Sequence, residues 1–517
     1  MRVRGTVTLT SLLLVALAGL APVADAGGGS ATPEDGDFDG DGYADLVIAA
    51  NYDDVAGVKN AGSVTVLPGG PAGPGVAGAK NWNLDSPGVP SKLGTDDLFG
   101  LGITVGDFND DGFGDLAVGT PNDAVKSRRT GTVLVLYGSS SGLSTDGAGL
   151  LHLGSPGVPG DRKFAGLGFS VAAGDFNGDG VSDLAAGAPG LRVSNEAAAG
   201  AGYVLYGISG QGLTGAGAHV FSQATNGLPE TPEPGDNFGL SVAAGDMTGD
   251  GIDDVAFGAP LDDNARQDRG SVQVLRGSDT GVQVEGNHFL SPSADRGRQR
   301  YGHDLFAGDV DDDGDEDLAI GVPGAEVEQK EFAGMIDVRI AGPEGSIFDD
   351  QYELRQSSNP VGFGARAYEQ FGFSVGGGDF DGDGTTEIVG ASFESFSGHE
   401  QAGAVFVISG LGDPDVFLDP SVVVWNQDSS GIPEKAEDGD FFGWDLTGGP
   451  FSGGVGDDLV VGAGGETVTG AIRAGSVVSI LGSGSGLTGV GAKAWTRDSP
   501  GVPGTAEQGD RFGSKLG

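Results

Sequence analysis

Residues 379–387 read Asp-Phe-Asp-Gly-Asp-Gly-Thr-Thr-Glu and are followed by a short apolar segment. Five earlier copies of this acidic loop begin at Asp37, Asp107, Asp175, Asp246 and Asp309. Oxygen-bearing side chains stand at loop positions 1, 3, 5 and 9, and Gly stands at position 6. A chain winds around a hard cation such as calcium in this order, with position 7 offering its backbone carbonyl. The sequence therefore predicts up to six calcium sites.

An ordinary turn and an EF-hand are two other interpretations of the loop. Asp-Gly segments are common in ordinary turns, because Asp bonds its own backbone and Gly accepts positive φ. A turn requires no acid at positions 5 and 9, so the six copies favour calcium. An EF-hand requires a bidentate Glu at position 12, where these loops have residues such as Ile48, Val118 and Ala186. The EF-hand interpretation is therefore rejected.

The loops differ in the number of carboxylates that they offer. Those beginning at Asp37, Asp309 and Asp379 have four, and the other three have three carboxylates and one neutral oxygen. Because more carboxylate raises calcium affinity, we expect the four-carboxylate loops to fill first. The predicted metal ligands are Asp37, Asp39, Asp41, Tyr43, Asp45, Asp107, Asn109, Asp111, Phe113, Asp115, Asp175, Asn177, Asp179, Val181, Asp183, Asp246, Thr248, Asp250, Ile252, Asp254, Asp309, Asp311, Asp313, Asp315, Asp317, Asp379, Asp381, Asp383, Thr385 and Glu387.

The loops recur at separations of 70, 68, 71, 63 and 70 residues, within units that share one pattern. A Phe-Gly pair precedes each loop in several units, and two alternating apolar runs follow it. Such period-2 runs between Gly, Pro and Asp turns indicate strands. About four short strands per unit, repeated seven times, are typical of propeller blades. We expect the phenylalanines of these pairs to be core residues: Phe99, Phe238, Phe371 and Phe442.

A seventh unit and the chain ends predict how the ring closes. The strand 458–463 follows a loop whose positions 1 and 5 are Pro450 and Gly454, so this loop has lost its ligands. The first unit has no Phe-Gly pair, whereas Phe512-Gly513 near the end of the sequence has no unit after it. Together the two fragments make one blade. The predicted fold is an all-β, seven-bladed propeller closed by pairing of N- and C-terminal strands.

The Phe-Gly pairs, acidic loops and Gly-Ala-Pro turns resemble the FG-GAP repeats of the integrin α-subunit N-terminal propeller and of related secreted bacterial proteins. The resemblance covers Asp35 to Gly517. It implies seven blades around a central axis, calcium in hairpin loops on one rim, and macromolecular partners on the opposite face. The leg domains, membrane span and cytoplasmic tail of an integrin subunit are not found, so integrin signalling is not implied.

The N-terminus and the composition predict where the protein works. Arg2 and Arg4 precede an apolar run and an Ala-Asp-Ala site, which indicates a signal peptide over residues 1–26. Residues 27–34 are a predicted linker and residues 35–517 the propeller. We expect a secreted, extracellular monomer without a membrane span. A formal charge of −47 opposes nucleic-acid binding.

Enzymatic motifs are weak. The segment 138–142 matches G-x-S-x-G, but the same Ser/Gly turn recurs in other units and no helix follows it. The five His residues share no repeated position or zinc-like spacing. No catalytic residue is predicted.

The leading functional hypothesis is a calcium-binding adhesion or binding module for an extracellular protein or polysaccharide. Its ligand would contact variable loops that carry basic residues, within 125–129, 262–269 and 296–300. These loops could equally be solvated tips. The alternative hypothesis is a secreted hydrolase of phosphoesters or glycans on the same scaffold.

Overall fold

A computed structural model describes residues 31–517 except 33–34, 126–127, 161–163, 265, 294–295, 343–345, 358–360, 362–363, 397 and 412–420, and no side chain of 346, 347, 349 or 350. The predicted signal peptide, most of the predicted linker and two residues of the basic loop 125–129 lie outside the described residues. Within the described part of the chain, all regular elements are strands, and there is no α-helix.

The strands form seven four-stranded antiparallel sheets, which we number as blades 1–7, and one short hairpin. Blade 1 contains β1 (Leu46–Ala50), β2 (Ser63–Leu67) and β3 (Lys80–Trp82); blade 2 contains β4 (Gly102–Gly106), β5 (Asp115–Thr120), β8 (Thr132–Tyr137) and β9 (Ser144–His152), with the hairpin β6 (Ala124–Val125) and β7 (Arg128–Arg129) between β5 and β8; blade 3 contains β10 (Val171–Gly174), β11 (Asp183–Ala188), β12 (Ala201–Leu205) and β13 (His219–Phe221).

The remaining blades follow in chain order. Blade 4 contains β14 (Ser241–Gly245), β15 (Asp254–Ala259), β16 (Ser271–Arg276) and β17 (Gln283–Leu290); blade 5 contains β18 (Leu305–Gly308), β19 (Asp317–Val322), β20 (Met335–Gly342) and β21 (Ser346–Leu354); blade 6 contains β22 (Val375–Gly378), β23 (Glu387–Ser392), β24 (Ala404–Ser409) and β25 (Ser421–Trp425); blade 7 contains β26 (Phe442–Gly449), β27 (Asp458–Ala463), β28 (Ser476–Leu481) and β29 (Thr488–Trp495); β30 (Lys515–Leu516) returns to blade 1.

The blades pack face to face around a closed ring. The first strand of each blade contacts the first strand of the next blade. In blade 1 the first strand is β30, which contacts β26 of blade 7 and β4 of blade 2. Second strands such as β5 are buried along their whole length, because a neighbouring blade covers each face. Their sequences are therefore continuous apolar runs rather than alternating ones. The predicted seven-bladed, all-β propeller is confirmed.

The phenylalanines of the Phe-Gly pairs are core residues, as expected. Phe99, Phe371, Phe442 and Phe512 are fully buried, and Phe238 is 2% exposed. Phe238 and Phe371 each form an isolated parallel β-bridge to a glycine of the preceding blade. Leu167 in blade 3 and Tyr301 in blade 5 form the same bridge and so take the place of the Phe. The sequence pattern did not identify these two, because neither residue is Phe.

The ring closes through the two ends of the described chain. Strand β30 pairs with β1, with Leu516 opposite Ile48 and Lys515 opposite Ala49. The Val47 amide donates to the Gly517 carbonyl at 2.8 Å. The predicted closure by N- and C-terminal strands is therefore confirmed.

Candidate metal sites

All six acidic loops lie at one end of the ring. In blades 2–6 each loop joins the first strand to the second, and in blade 1 the loop directly precedes β1. The first strands run toward this end and the second strands run away from it. The Phe-Gly pairs and the loops between second and third strands consequently lie at the opposite end, which we call the upper face.

Position 1 shapes the loop by accepting backbone hydrogen bonds. In blade 6, Asp379 Oδ1 accepts from the Gly382 and Asp383 amides at 2.7 and 3.1 Å, and Oδ2 accepts from the Gly384 amide at 3.1 Å. Gly384 has φ +99°, a conformation that few residues other than Gly adopt. The loop is thereby bent so that its side-chain oxygens converge.

Position 9 is a buried acid at the start of the second strand. In blade 2, Asp115 accepts from the Phe108 amide at 3.0 Å and from the Gly138 amide at 2.8 Å. Burial raises the pKa of Asp115 to about 8, although these two amides oppose the rise. Burial likewise raises the pKa of Asp183 and of Asp317 to about 8. A cation in the loop would offset this unfavourable burial of charge.

The structure brings the predicted carboxylates together most closely in the three loops that have four of them. Their ligand oxygens lie within 4.8 Å of one another in three groups: Asp37, Asp39 and Asp41; Asp309, Asp311 and Asp317; and Asp379, Asp381 and Glu387. The acidic clusters that the sequence predicts therefore exist in blades 1, 5 and 6.

Position 3 carries the clearest sign of a missing ligand. One oxygen of this residue is buried and has no hydrogen-bond partner among the described residues in four loops, at Asn109, Thr248, Asp311 and Asp381. Buried polar atoms are normally paired. An oxygen-coordinated cation would satisfy these atoms, so the side chains present fit a hard ion such as Ca²⁺.

Position 7 has a different role for its side chain. A Cβ atom placed on Gly40 would meet Phe113, one placed on Gly178 would meet Ile252, and one placed on Gly249 would meet Asp315. These three position-7 side chains thus lie against position 4 of the preceding loop. The backbone carbonyl of position 7 is the predicted ligand.

Comparison with known proteins agrees with this geometry. The FG-GAP repeat family matches residues 36–67, 99–136, 167–205, 238–275 and 371–408, which belong to blades 1, 2, 3, 4 and 6. This chain carries FG-GAP repeats. Blades 5 and 7 have the same four-stranded arrangement without matching the family.

Relatives of this FG-GAP chain include integrin alpha subunits and a phospholipase D. It is 36% identical to integrin alpha-PS5 of Drosophila melanogaster over 31% of this chain and 15% of that protein, and 31% identical to integrin alpha-5 of Xenopus laevis over 45% and 20%. It is also 33% identical to the phosphatidylinositol-glycan-specific phospholipase D of Bos taurus over 34% and 20%. The matched regions span a fifth or less of these relatives.

The FG-GAP loops are joined to one another by a closed set of backbone hydrogen bonds. In every blade the amide of loop position 8 donates to the position-1 carbonyl of the preceding blade. The donor–acceptor pairs are Ala44 to Pro450, Gly114 to Asp37, Ser182 to Asp107, Asp253 to Asp175, Glu316 to Asp246, Thr386 to Asp309 and Asp457 to Asp379, at 2.7–3.1 Å. The seven loops are therefore coupled to one another around the whole ring.

Acidic residues at the upper face were not predicted. Glu437, Asp440 and Glu466 place carboxylate oxygens within 4.8 Å of one another. Burial raises the pKa of Glu466 to about 8 and that of Asp440 to about 6. Glu437 and Asp440 lie close together in the sequence, but Glu466 comes from a separate loop, and all three lie outside the nine-residue loops, so no local motif marks them.

No helix among the described residues is long and apolar enough to cross a membrane.

Proposed function

We propose that this protein is a secreted, calcium-binding FG-GAP propeller that acts as an adhesion or binding module for an extracellular protein or polysaccharide. Its calcium ions would be held by the six acidic loops through the residues predicted above. The unpaired position-3 oxygens and the three convergent carboxylate groups support this. The integrin relatives support a role in adhesion.

A row of aromatic side chains on the upper face carries the proposal for binding. Phe373 lies 4.5 Å from Phe393 and 5.9 Å from Trp444 between ring centroids, and Phe441 lies 5.0 Å from Phe393. The Arg511 guanidinium lies 5.1 Å from the centre of the Trp444 ring.

The row extends across several blades. Arg511 also lies over Tyr52 at 4.7 Å, so that it joins the aromatic groups of blades 7 and 1. At the other end, His303 of blade 5 lies 4.8 Å from Phe373. Aromatic and arginine side chains are enriched where proteins bind partners, and aromatic faces accept both sugars and cations. We infer that the ligand contacts this row.

Binding can be tested with the full chain in calcium-containing buffer, on arrays of immobilised extracellular proteins and polysaccharides. Trp444→Ala and Arg511→Ala should each reduce binding to a captured ligand at least tenfold. Val490→Ala is the matched control, because Val490 is 82% exposed on the outer strand of blade 7, away from the row. Ligand capture that all three variants retain would contradict the assignment of the row.

The hydrolase alternative remains a separate hypothesis. Several relatives are phosphatidylinositol-glycan-specific phospholipases D, but the matched regions are 20–25% of those proteins. Hydrolases often use a His paired with an acid. Among the described residues such a pair is formed by His399 and Asp438, and both side chains are exposed. Turnover of phosphodiesters or polysaccharides by the purified chain would favour an enzyme, and its absence together with ligand capture would favour the binding module.

A further inference from the structure

Two equivalent places on the upper face differ in charge. Each is built where the linker from one blade meets the loop between the second and third strands of the next. We call them the blade 1 cluster (Asp53, Arg497, Asp510) and the blade 7 cluster (Gln427, Glu434, Glu437, Asp440, Glu466).

Three residues of each cluster occupy corresponding positions in the sequence. Arg497 and Gln427 each stand two residues after a buried Trp, and Asp510 and Asp440 each stand two residues before the Phe of a Phe-Gly pair. Asp53 and Glu466 each follow the end of a second strand by three residues. Their backbones agree too, because the carbonyls of Asp53 and Glu466 accept from the Gly amides that precede the third strands, at 3.0 and 3.1 Å.

In the blade 1 cluster the chain supplies its own cation. Arg497 is 6% exposed, and its Nη1 lies 2.5 Å from Asp53 Oδ1 and 3.5 Å from Asp510 Oδ2. Such a counter-charge offsets the cost of burying two carboxylates side by side. The guanidinium provides it here.

In the blade 7 cluster the residue at the arginine position is neutral. Gln427 is 1% exposed, and its Nε2 donates to Glu466 Oε2 at 2.9 Å and to Glu434 Oε2 at 3.4 Å. Its Oε1 is buried and has no hydrogen-bond partner among the described residues. The amide thus lies among the acids with one of its two polar atoms unused.

No Arg or Lys of the described chain forms an ion pair with these acids. Lys435 is 3.8 Å from Asp428 with its side chain 82% exposed, and His399 pairs with Asp438. The corresponding acid of blade 6, Glu369, has Arg366 at 3.5 Å. The blade 7 cluster is therefore more acidic than its neighbours and lacks their counter-charge.

We propose that the blade 7 cluster binds a calcium ion in the place that the Arg497 guanidinium has in the blade 1 cluster. Asp440, Glu466 and Glu437 would be carboxylate ligands. Half a turn of the Gln427 amide exchanges its two polar atoms and directs Oε1 toward the ion. A donor set made only of oxygens favours a hard cation.

This site goes beyond the proposed function, because it lies at the opposite end of the ring from the six loops and uses none of their residues. The bound ion holds the linker that follows β25 against blade 7. It also neutralises acids that otherwise repel one another across that junction.

The test counts calcium ions bound per full-length chain, by equilibrium dialysis and atomic emission. Gln427→Arg supplies the missing charge, and Glu466→Gln removes a ligand; each should bind one calcium ion fewer than the original chain. Arg497→Gln should bind one more. In EGTA, Gln427→Arg should melt at a higher temperature than the original chain, which shows that it folds and that the arginine replaces the ion.

A calcium count that is unchanged in both Gln427→Arg and Glu466→Gln would overturn the proposal. Asp379→Asn, in the acidic loop of blade 6, is the control for the other sites. If its count is unchanged while the blade 7 variants each lose one ion, the loop assignment fails and the present proposal stands.

Discussion

The loops between the first and second strands of blades 6 and 7 occupy the same place in neighbouring blades but differ in the residue at position 3 and in its hydrogen bonding. In blade 6, position 3 is Asp381, whose Oδ1 is buried without a hydrogen-bond partner among the described residues. In blade 7, position 3 is Ser452, whose hydroxyl donates to Asp458 Oδ1 at 3.0 Å. Both loops keep the buried acid at position 9 and the backbone bond to the preceding blade.

This difference separates what the hairpin needs from what a cation needs. Blade 7 shows that the hairpin forms without carboxylates at positions 1, 3 and 5, with a hydroxyl donating to one oxygen of the position-9 acid. In blade 6 the corresponding groups are all acids, which repel one another without a positive charge between them. The additional acids are therefore best explained by metal binding, and four experiments can test this contrast.

Removal of calcium should have the largest effect. Ions that bind only the folded state stabilise it by mass action, by about 2.7 kcal/mol per site when free calcium is 100 times the Kd. EGTA should therefore lower the melting temperature of the whole ring strongly. Differential scanning calorimetry with and without EGTA measures this, with Mg²⁺ present as a control. An unchanged melting temperature would show that none of the six loops binds calcium in the folded chain.

Loss of the position-9 acid should destabilise both blades, with or without calcium. Glu387→Ala orphans the Phe380 amide, and Asp458→Ala orphans the Gly482 amide. An unsatisfied buried donor costs about 1–3 kcal/mol. In EGTA both variants should melt at lower temperature than the original chain. In calcium only Glu387→Ala should lose further stability, since it alone removes a ligand; equal losses in calcium would contradict the contrast.

Acidity should distinguish the two loops in EGTA. Burial raises the pKa of Glu387 to about 8 and that of Asp458 to about 6, and repulsion by Asp381 adds to the rise at Glu387. Both values lie above the roughly 4 of an unfolded chain. The folded state therefore binds these protons more tightly, and stability falls as pH rises from the unfolded to the folded pKa.

Between pH 6 and pH 8, stability should thus keep falling because of Glu387 but no longer because of Asp458. Melting curves across this range in EGTA should show a shallower pH dependence for Glu387→Gln than for the original chain. Asp458→Asn is the matched control and should leave the slope above pH 6 unchanged. A slope that both substitutions alter equally would argue against different environments for the two acids.

The smallest effect should come from one carboxylate within a loop. Asp381→Asn gives the blade 6 loop the donor set of the blade 2 loop, which has Asn109 at position 3. Calcium affinity at that loop should fall roughly tenfold, because ligand charge tunes affinity. Isothermal titration calorimetry can resolve it, with Ser452→Ala in blade 7 as the control that changes no calcium step. Tighter binding by Asp381→Asn would reverse the predicted ranking of the loops.

Most of the fold could be predicted from sequence because each blade repeats the same local signals. The acidic loops, the Phe-Gly pairs and the apolar strands recur at nearly constant spacing, and the two partial units at the ends fit together. The equivalents of the Phe-Gly phenylalanine in blades 3 and 5, Leu167 and Tyr301, escaped the pattern. That place requires a large buried side chain before a glycine rather than Phe itself.

The upper face was less predictable because its groups come from separate segments. Gln427 belongs to a linker, Asp440 stands two residues before the Phe of a Phe-Gly pair, and Glu466 lies in a loop between strands. The aromatic row similarly collects Phe373, Phe393 and Trp444 from two blades. Only the closed ring places these residues side by side. The calcium ligands themselves remain predictions.

The pairing of β30 with β1 determines how the ring can come apart. Every other blade is one continuous stretch of chain, whereas blade 1 depends on a two-residue strand contributed from the far end. The carboxylate of Asp445 in blade 7 accepts from the Leu516 amide at 2.7 Å and from Lys515 Nζ at 2.9 Å. Under mechanical load, or at the onset of thermal unfolding, the pairing of β30 with β1 can separate without breaking a hairpin between consecutive strands. A covalent cross-link between these two strands would therefore slow the opening of the whole ring.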